Sequence, residues 1–235
     1  MKTSPVDGRA DTLEPILRKI AHDIVGPTSV ASGALKELER QLRGESQPHA
    51  SMLDLVDRSL QRLQRLATRL RSAALVMNGT LELESQLVVL GDVLAGGVAH
   101  ASKLDGRKNV TVEVVTAAEP IRANADEPHL ALVFSELMSN ALRFARRHVR
   151  VTVVHRGERA TVDFEDDGAG FPAGLVAALT SGEPPSIEVG FALPLVVAIT
   201  ARFGGAITFG ESGLPSSSDG RRGARVRVEL PVASA

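Results

Sequence analysis

Glu136-Leu-Met-Ser-Asn140-Ala-Leu-Arg143 lies inside an apolar stretch, Leu130 to Phe144, whose spacing predicts a helix. Glu136 and Asn140 are four residues apart and share a helix face, and Arg143 follows three residues later on nearly the same face. A carboxylate, an amide and a guanidinium in a row can serve as general base, Mg2+ ligand and phosphate partner. Mg2+ takes oxygen ligands and commonly shares them with substrate phosphates. The same row also reads as the solvated face of an amphipathic helix, so its surroundings decide.

Outward from that helix the pattern is mixed. Thr80 to Leu90, Val110 to Val115 and the short Ile121 to Ala123 read as strands before it. Val149 to Val154 and Ala160 to Phe164 read as strands after it, Leu193 to Phe203 as a helix, and Ala206 to Phe209 and Ala224 to Leu230 as closing strands. This order predicts an α/β sandwich with helices on one face. Asp166-Asp167-Gly168-Ala169-Gly170 directly follows a strand, and its glycines permit a tight turn and close backbone approach to a ligand. Ser181 to Glu188 and Ser212 to Gly223 are rich in Gly, Pro and Ser and are expected to be surface loops.

The N-terminal third has a different rhythm. Leu13, Leu17, Ile20, Ile24, Ala31, Leu35, Leu38 and Leu42 recur at helical steps, with Pro27 or Thr28 filling the gap. A second stripe runs through Leu53, Val56, Leu60, Leu63, Ala67, Leu70, Ala74 and Met77, its steps alternating three and four as in a coiled-coil seam. The turn-forming segment Gly44 to Pro48 separates them. Two helices so joined make an antiparallel hairpin that buries little alone, so two hairpins completing a four-helix bundle are expected, the alternative being a single hairpin packed onto the rest of the chain. The fold class is therefore α+β: a helical hairpin forming a dimeric four-helix bundle, then an α/β sandwich. The expected domains are a tail over 1–12, the hairpin over 13–78 and the sandwich over 79–235.

His22 falls between Ile20 and Ile24, about 200° round the helix from each, and so points to solvent. An imidazole is a competent nucleophile at neutral pH, and Asp23 beside it can accept its proton. Pro27 removes a mid-helix donor and predicts a kink.

Composition sets the bounds. The chain has 235 residues with a formal net charge of -1, which gives no bulk attraction to nucleic acid. Arg58, Arg62, Arg65, Arg69 and Arg71 make the second helix basic, either as a solvated face or as a docking surface for an acidic partner. With no Cys, thiolate chemistry and disulfides are excluded. The longest apolar run, Gly190 to Ala201, is too short to span a bilayer, so no direct membrane span is expected. The first residues lack the apolar core of a signal peptide, and the expected location is cytoplasmic.

His22-Asp23-Ile24-Val25-Gly26-Pro27 on the first hairpin helix resembles the phosphoacceptor box of two-component sensor histidine kinases. The Asn140 helix and the Asp166-to-Gly170 loop resemble the ATP-binding domain shared by those kinases and gyrase-type ATPases. The resemblance spans about Leu13 to Val232. It implies that His22 attacks the γ-phosphate of ATP with Asp23 as base, that Asn140 binds Mg2+, and that Asp166 reads the adenine amino group. Glu136 matches the acidic position of the Asn-bearing motif, and Arg143 stands where the family usually has Lys. Gly168 and Gly170 complete the glycine loop, and Gly190 is the surviving glycine of a third motif, Glu188-Val-Gly190-Phe-Ala192-Leu193. Two departures stand out. Gly26 replaces the Thr or Asn that assists dephosphorylation of the partner. Glu188, Ala192 and Pro194 alter the third motif, with Pro194 tolerable in a first helical turn.

The implied function is an ATP- and Mg2+-dependent protein histidine kinase that autophosphorylates on His22 and passes the phosphoryl group to an Asp of a response-regulator receiver domain. The implied assembly is a homodimer, with input from a separate sensor protein or another part of a longer one. A histidine phosphotransferase relaying phosphate through His22, and a non-catalytic dimeric binding module, stay open.

Overall fold

The computed structural model describes residues 48–105, 109–172, 174–180, 192–215, 220 and 222–232, together with the helical pairs 24–25, 28–29, 32–33, 35–36 and 39–40. The chain divides into two compact units, Met1–Leu81 and Glu82–Ala235.

In the first unit, helix α1 spans Pro48–Met77. It ends on Asn78-Gly79, where Gly79 takes φ 67°. The Gly79 N–H donates to the Val76 carbonyl at 3.0 Å and the Thr80 N–H to the Leu75 carbonyl at 3.0 Å. A left-handed glycine followed by these two bonds is the Schellman stop, which satisfies carbonyls a helix end would otherwise orphan. Along the predicted seam Ala67 and Ala74 are fully buried, whereas Val56 and Leu63 remain 37% and 45% exposed. In the preceding segment Thr28 is buried, and its hydroxyl donates to the Ile24 carbonyl at 2.6 Å. His22, Asp23, Gly26 and Pro27 lie outside the described residues.

The second unit is built on a five-stranded sheet of order β2-β4-β5-β7-β6. These strands are β2 Thr111–Val115, β4 His148–Arg156, β5 Arg159–Asp166, β6 Ala206–Glu211 and β7 Ala224–Pro231. A two-stranded antiparallel sheet pairs β1 Gln86–Val89 with β3 Arg122–Ala125. The helices are α2 Leu90–Asp105, α3 Glu127–Phe144, α4 Leu175–Thr180 and α5 Ala192–Arg202. The β2–β4 pair is parallel, its crossover carrying α3, and the other pairs are antiparallel.

Period-2 alternation sorts the two sheet faces. Val149, Val151, Val153, Val162, Phe164, Val226, Val228 and Leu230 are all buried. Helix α3 packs against β5, with Phe134 and Phe164 ring centroids 5.9 Å apart, and α5 packs against β6. The opposite face is polar. One cross-strand row reads Glu113, Arg150, Glu165, Arg225, and the next includes Asp163 and Arg227. Arg150 Nε meets Glu113 at 2.7 Å, and Arg227 grips Asp163 with two 2.7 Å bonds. The β4–β5 hairpin turns on Gly157-Glu158, with Gly157 alone at positive φ, which suits a type II′ turn.

Several boundaries differ from the sequence expectation. The strand expected over Thr80 to Leu90 is confined to Gln86–Val89, and Leu90 opens α2 instead. Helix α2 was not anticipated because Gly91, Gly96 and Gly97 depress its helix propensity. Gly97 has a packing reason: a Cβ there would sit 3.1 Å from the Phe134 Cβ and 3.2 Å from the Ser135 nitrogen, so glycine lets α2 approach α3 closely. Helix α3 starts three residues earlier than expected. Asp126 is its N-cap, accepting from the His129 N–H at 3.0 Å, and Pro128 sits in the first turn. Pro194 falls in the first turn of α5, where the missing N–H costs no helical bond.

Candidate nucleotide site

The polar row on α3 emerges from the core toward the helix C-terminus. Glu136 is fully buried, Asn140 is half-buried, and Arg143 is exposed with its guanidinium 5.3 Å from the Phe144 ring centroid. The last turn of α3 ends against the glycine loop. A Cβ on Gly168 would overlap the Phe144 carbonyl oxygen and lie 2.7 Å from Asp166 Oδ1. Glycine is therefore required at 168 by protein backbone, independently of any ligand. Gly170, at φ 76°, faces the Arg222 carbonyl in the same way, and Gly223 abuts the Asp166 carbonyl.

Asp166 closes β5 and is buried. Its Oδ1 accepts the Gly168 N–H at 2.8 Å and the Ala224 N–H at 3.3 Å. Burial pushes its carboxyl up from the ordinary 3.8. Those two N–H groups pull down without cancelling the rise, and the neighbouring Asp167 charge adds to it. Both bonds fall on Oδ1.

Asp167 behaves oppositely. Its Oδ1 accepts from the backbone N–H of Arg146 at 2.8 Å and of Arg147 at 3.0 Å, and its own N–H donates to the His148 carbonyl at 3.2 Å. Burial tends to raise its carboxyl, but the N–H groups of Arg147, His148 and Arg146 outweigh it and hold it below the ordinary 3.8. The sequence reading passed over this residue. The available signal was a second Asp opening a glycine loop, a residue type that hydrogen-bonds nearby backbone.

A cleft of about 800 Å3 shares Ala169 and Gly170 with the glycine loop. Its other walls are Phe171, Pro172, Val176 and the Gly210–Glu211 and Arg222–Gly223 segments. Asn140, Arg143 and Asp166 do not line it, so it adjoins the α3–glycine-loop junction without containing it. The expected 212–223 surface loop is anchored at its start: Ser212 and Leu214 are buried, and the Gly213 N–H donates to Glu165 Oε1 at 2.6 Å. Gly190 lies outside the described residues, and Ala192 and Leu193 open α5.

Residues 125–234 match the profile described as histidine kinase-, DNA gyrase B-, and HSP90-like ATPase. The match covers just under half of the chain. Curated relatives agree in kind. The adaptive-response sensory kinase SasA of Prochlorococcus marinus subsp. pastoris is 24% identical over 171 residues, covering 70% of this chain and 44% of that one. The SasA of Synechocystis is 23% identical over 167 residues, covering 68% and 44%. The chain thus spans less than half the length of these relatives.

Among solved structures, full-length ShkA in complex with AMPPNP superposes with a TM-score of 0.66 at 21% identity, over 94% of this chain and 46% of that one. Histidine kinase AdeS of Acinetobacter baumannii gives 0.57 at 17%, over 91% and 98%. The mycobacterial sensor histidine kinase MprB gives 0.52 at 18%, over 65% and 100%. At these identities the structures speak for the fold alone. The profile and the curated relatives both point to a sensor histidine kinase catalytic core. In the second unit the sheet, α3 and the glycine loop are the described elements that meet at the candidate site. Among the described residues, no helix is long and apolar enough to cross a membrane.

Proposed function

We propose that the chain is an ATP-dependent protein histidine kinase that phosphorylates itself on His22 and passes the phosphoryl group to an Asp of a response-regulator receiver domain. The observation that carries this reading is the junction at Gly168, where the end of the Asn140 helix abuts the loop bearing the buried Asp166. In this reading the Asn140 amide, the Arg143 guanidinium and the Asp166 carboxylate act from the two sides of that junction.

In this mechanism a ring nitrogen of His22 attacks the γ-phosphorus of ATP. The N–P bond forms as the bond from phosphorus to the bridging oxygen breaks, and ADP leaves. Asp23 takes the imidazole proton. In the second step a carboxylate oxygen of the receiver Asp attacks the phosphorus, the N–P bond breaks, and His22 recovers its proton. Asp166, its Oδ1 already occupied, offers Oδ2 to the adenine amino group, and Gly168 and Gly170 let the loop that carries it pack against the Phe144 and Arg222 carbonyls. Arg143 meets phosphate oxygens. Glu136, fully buried one turn before Asn140, is the second acidic candidate and acts from behind the amide.

Among the described residues no group of three or more His, Asp or Glu could hold a metal ion. The Asn140 amide oxygen would be the protein ligand of a Mg2+ shared with nucleotide phosphates. When bound, the ion neutralises charge on the transferring phosphoryl group.

The homodimer belongs to the same proposal. Val56 and Leu63 occupy seam positions on α1 and keep large apolar side chains exposed in the single chain, as a helix awaiting a second hairpin would.

The test is incubation of the purified protein with γ-labelled ATP and Mg2+, beside His22→Ala and Asn140→Ala. Acid-labile, base-stable label that is lost in both variants supports the autokinase. Absence of label together with absence of nucleotide binding overturns it. Label gained only from a phosphorylated receiver domain selects the phosphotransfer relay.

A further inference from the structure

We infer that Asp167 is a positioning residue of the nucleotide site: its side chain sets the end of α3 against the glycine loop. The inference rests on the ATP-binding reading above and assigns a role to a residue outside it.

Helix α3 stops at Ala145, whose ψ of 145° turns the chain out of the helix. The next two N–H groups, of Arg146 and Arg147, are thereby freed from helical bonding. Asp167 collects both on Oδ1, and the Arg147 N–H reaches Oδ2 as well at 3.1 Å. The Asp167 N–H closes the loop on the His148 carbonyl. On the other side the Arg147 carbonyl accepts from the Thr111 N–H at 2.7 Å, which ties the same turn to β2. The Asp167 side chain thus holds two consecutive residues of the α3–β4 turn to the glycine loop, and its backbone N–H holds a third.

Its position in sequence makes this functional as well as structural. Asp167 lies between Asp166, the adenine-reading candidate, and Gly168, the contact with the Phe144 carbonyl. Asn140 is one helical turn before Phe144. A nucleotide held by Asn140, Arg143 and Asp166 needs groups from both elements at fixed separation, and displacement by an ångström at such a site is costly. Bonds from N–H groups to an ionised carboxylate are about twice as strong as neutral ones, and the carboxyl is held below the ordinary carboxylate range, which keeps it ionised.

The test uses the full chain and ADP with Mg2+ as probe, with affinity from calorimetry and stability from thermal unfolding. Asp167→Ala removes the acceptor. Asp167→Asn keeps one carbonyl oxygen in the same place. Asp126→Ala is the matched control, because it removes a carboxylate that accepts backbone N–H groups at the opposite end of α3. The expected result is a rise in Kd of about tenfold or more for Asp167→Ala. Partial rescue to about threefold is expected for Asp167→Asn, and a change within about twofold for Asp126→Ala despite its lowered Tm.

The inference is overturned if Asp167→Ala binds like wild type, if Asp167→Asn is as weak as Asp167→Ala, or if Asp126→Ala weakens binding equally. Should Asp167→Ala fail to fold, Asp167→Asn decides alone, and wild-type affinity in that variant overturns the inference. Wild-type protein that binds no ADP removes both this role and the nucleotide-site reading, whereas a wild type that binds ADP with unaffected Asp167 variants removes this role alone.

Discussion

Gly168→Ala offers a strict check on the site's geometry, because the backbone at 168 is unstrained and only space forbids a side chain. The added methyl meets the Phe144 carbonyl oxygen, the Phe144 carbonyl carbon at 3.1 Å and Asp166 Oδ1 at 2.7 Å. Two of these three are backbone atoms and cannot rotate away. Forcing a methyl into such a contact costs about 1 to 3 kcal/mol. Moving the loop to relieve it also stretches the 2.8 Å bond from the Gly168 N–H to the buried Asp166 carboxylate, a class of bond worth about 1.5 to 3 kcal/mol. Together the loss is about 3 to 5 kcal/mol, a large share of the roughly 5 to 15 kcal/mol that stabilises a domain. In urea, with a slope near 2 kcal/mol per molar, the midpoint falls by about 2 M. Gly157→Ala is the comparison: it sits at φ 61° with open space around it, so it pays only backbone strain, about 1 to 2 kcal/mol. Equilibrium urea unfolding of both variants, with ADP affinity alongside, tests the argument. A Gly168→Ala protein no less stable than Gly157→Ala, and binding ADP normally, would refute the close approach and the site built on it.

Other outcomes follow from the same structure. Phe134→Ala, at a fully buried ring packed on Phe164, should cost about 3 to 5 kcal/mol by urea unfolding. Because the Asp166 carboxyl titrates above 3.8 and its charged form is the acceptor, ADP affinity should begin to fall on acidification while ordinary carboxylates are still ionised. A flat affinity down to pH 4 by calorimetry would contradict this. Asp126 is shifted the other way: burial raises it, but the N–H groups of His129 and Glu84 and the His129 side chain prevail. Its stabilisation is present above about 3.8 and lost as pH falls through the lower folded value, so Asp126→Asn should flatten the acid limb of the stability curve. Val56→Glu with Leu63→Glu should halve the mass seen by light scattering while leaving the far-ultraviolet circular dichroism intact, and an unchanged dimer mass would argue against the seam.

What could be read from the chain depended on how each residue's role is encoded. Strands β4, β5 and β7 alternate buried valines with charged residues, and that period is visible without a structure. Helix α2 hides because its glycines depress local helix propensity, while Gly97 serves a contact with α3, a tertiary demand with no local trace. The Asp126-Glu-Pro start of α3 was legible as a cap, yet the apolar pattern alone drew the boundary at Leu130. At the site, Asn140, Arg143 and Asp166 announce themselves by spacing. The sequence also justified Gly168 and Gly170, but for ligand approach, whereas the structure shows them opposed to the Phe144 and Arg222 carbonyls. Asp167 escaped because its partners are backbone N–H groups twenty residues away, which no side-chain pattern records.

The polar face of the main sheet bears on a different matter, the identity of strands. Across it β2 presents a negative charge, β4 positive, β5 negative and β7 positive, through Glu113, Arg150, Glu165 with Asp163, and Arg225 with Arg227. The Glu113–Arg150 pair is exposed and adds little stability, but like charges set directly opposite are penalised. An ordering that placed β4 beside β7, or β2 beside β5, would bring like signs together along the shared edge. The buried valines on the other face are nearly interchangeable between strands and cannot discriminate such permutations. The charges therefore work as address labels, telling a folding chain which neighbour each strand should accept.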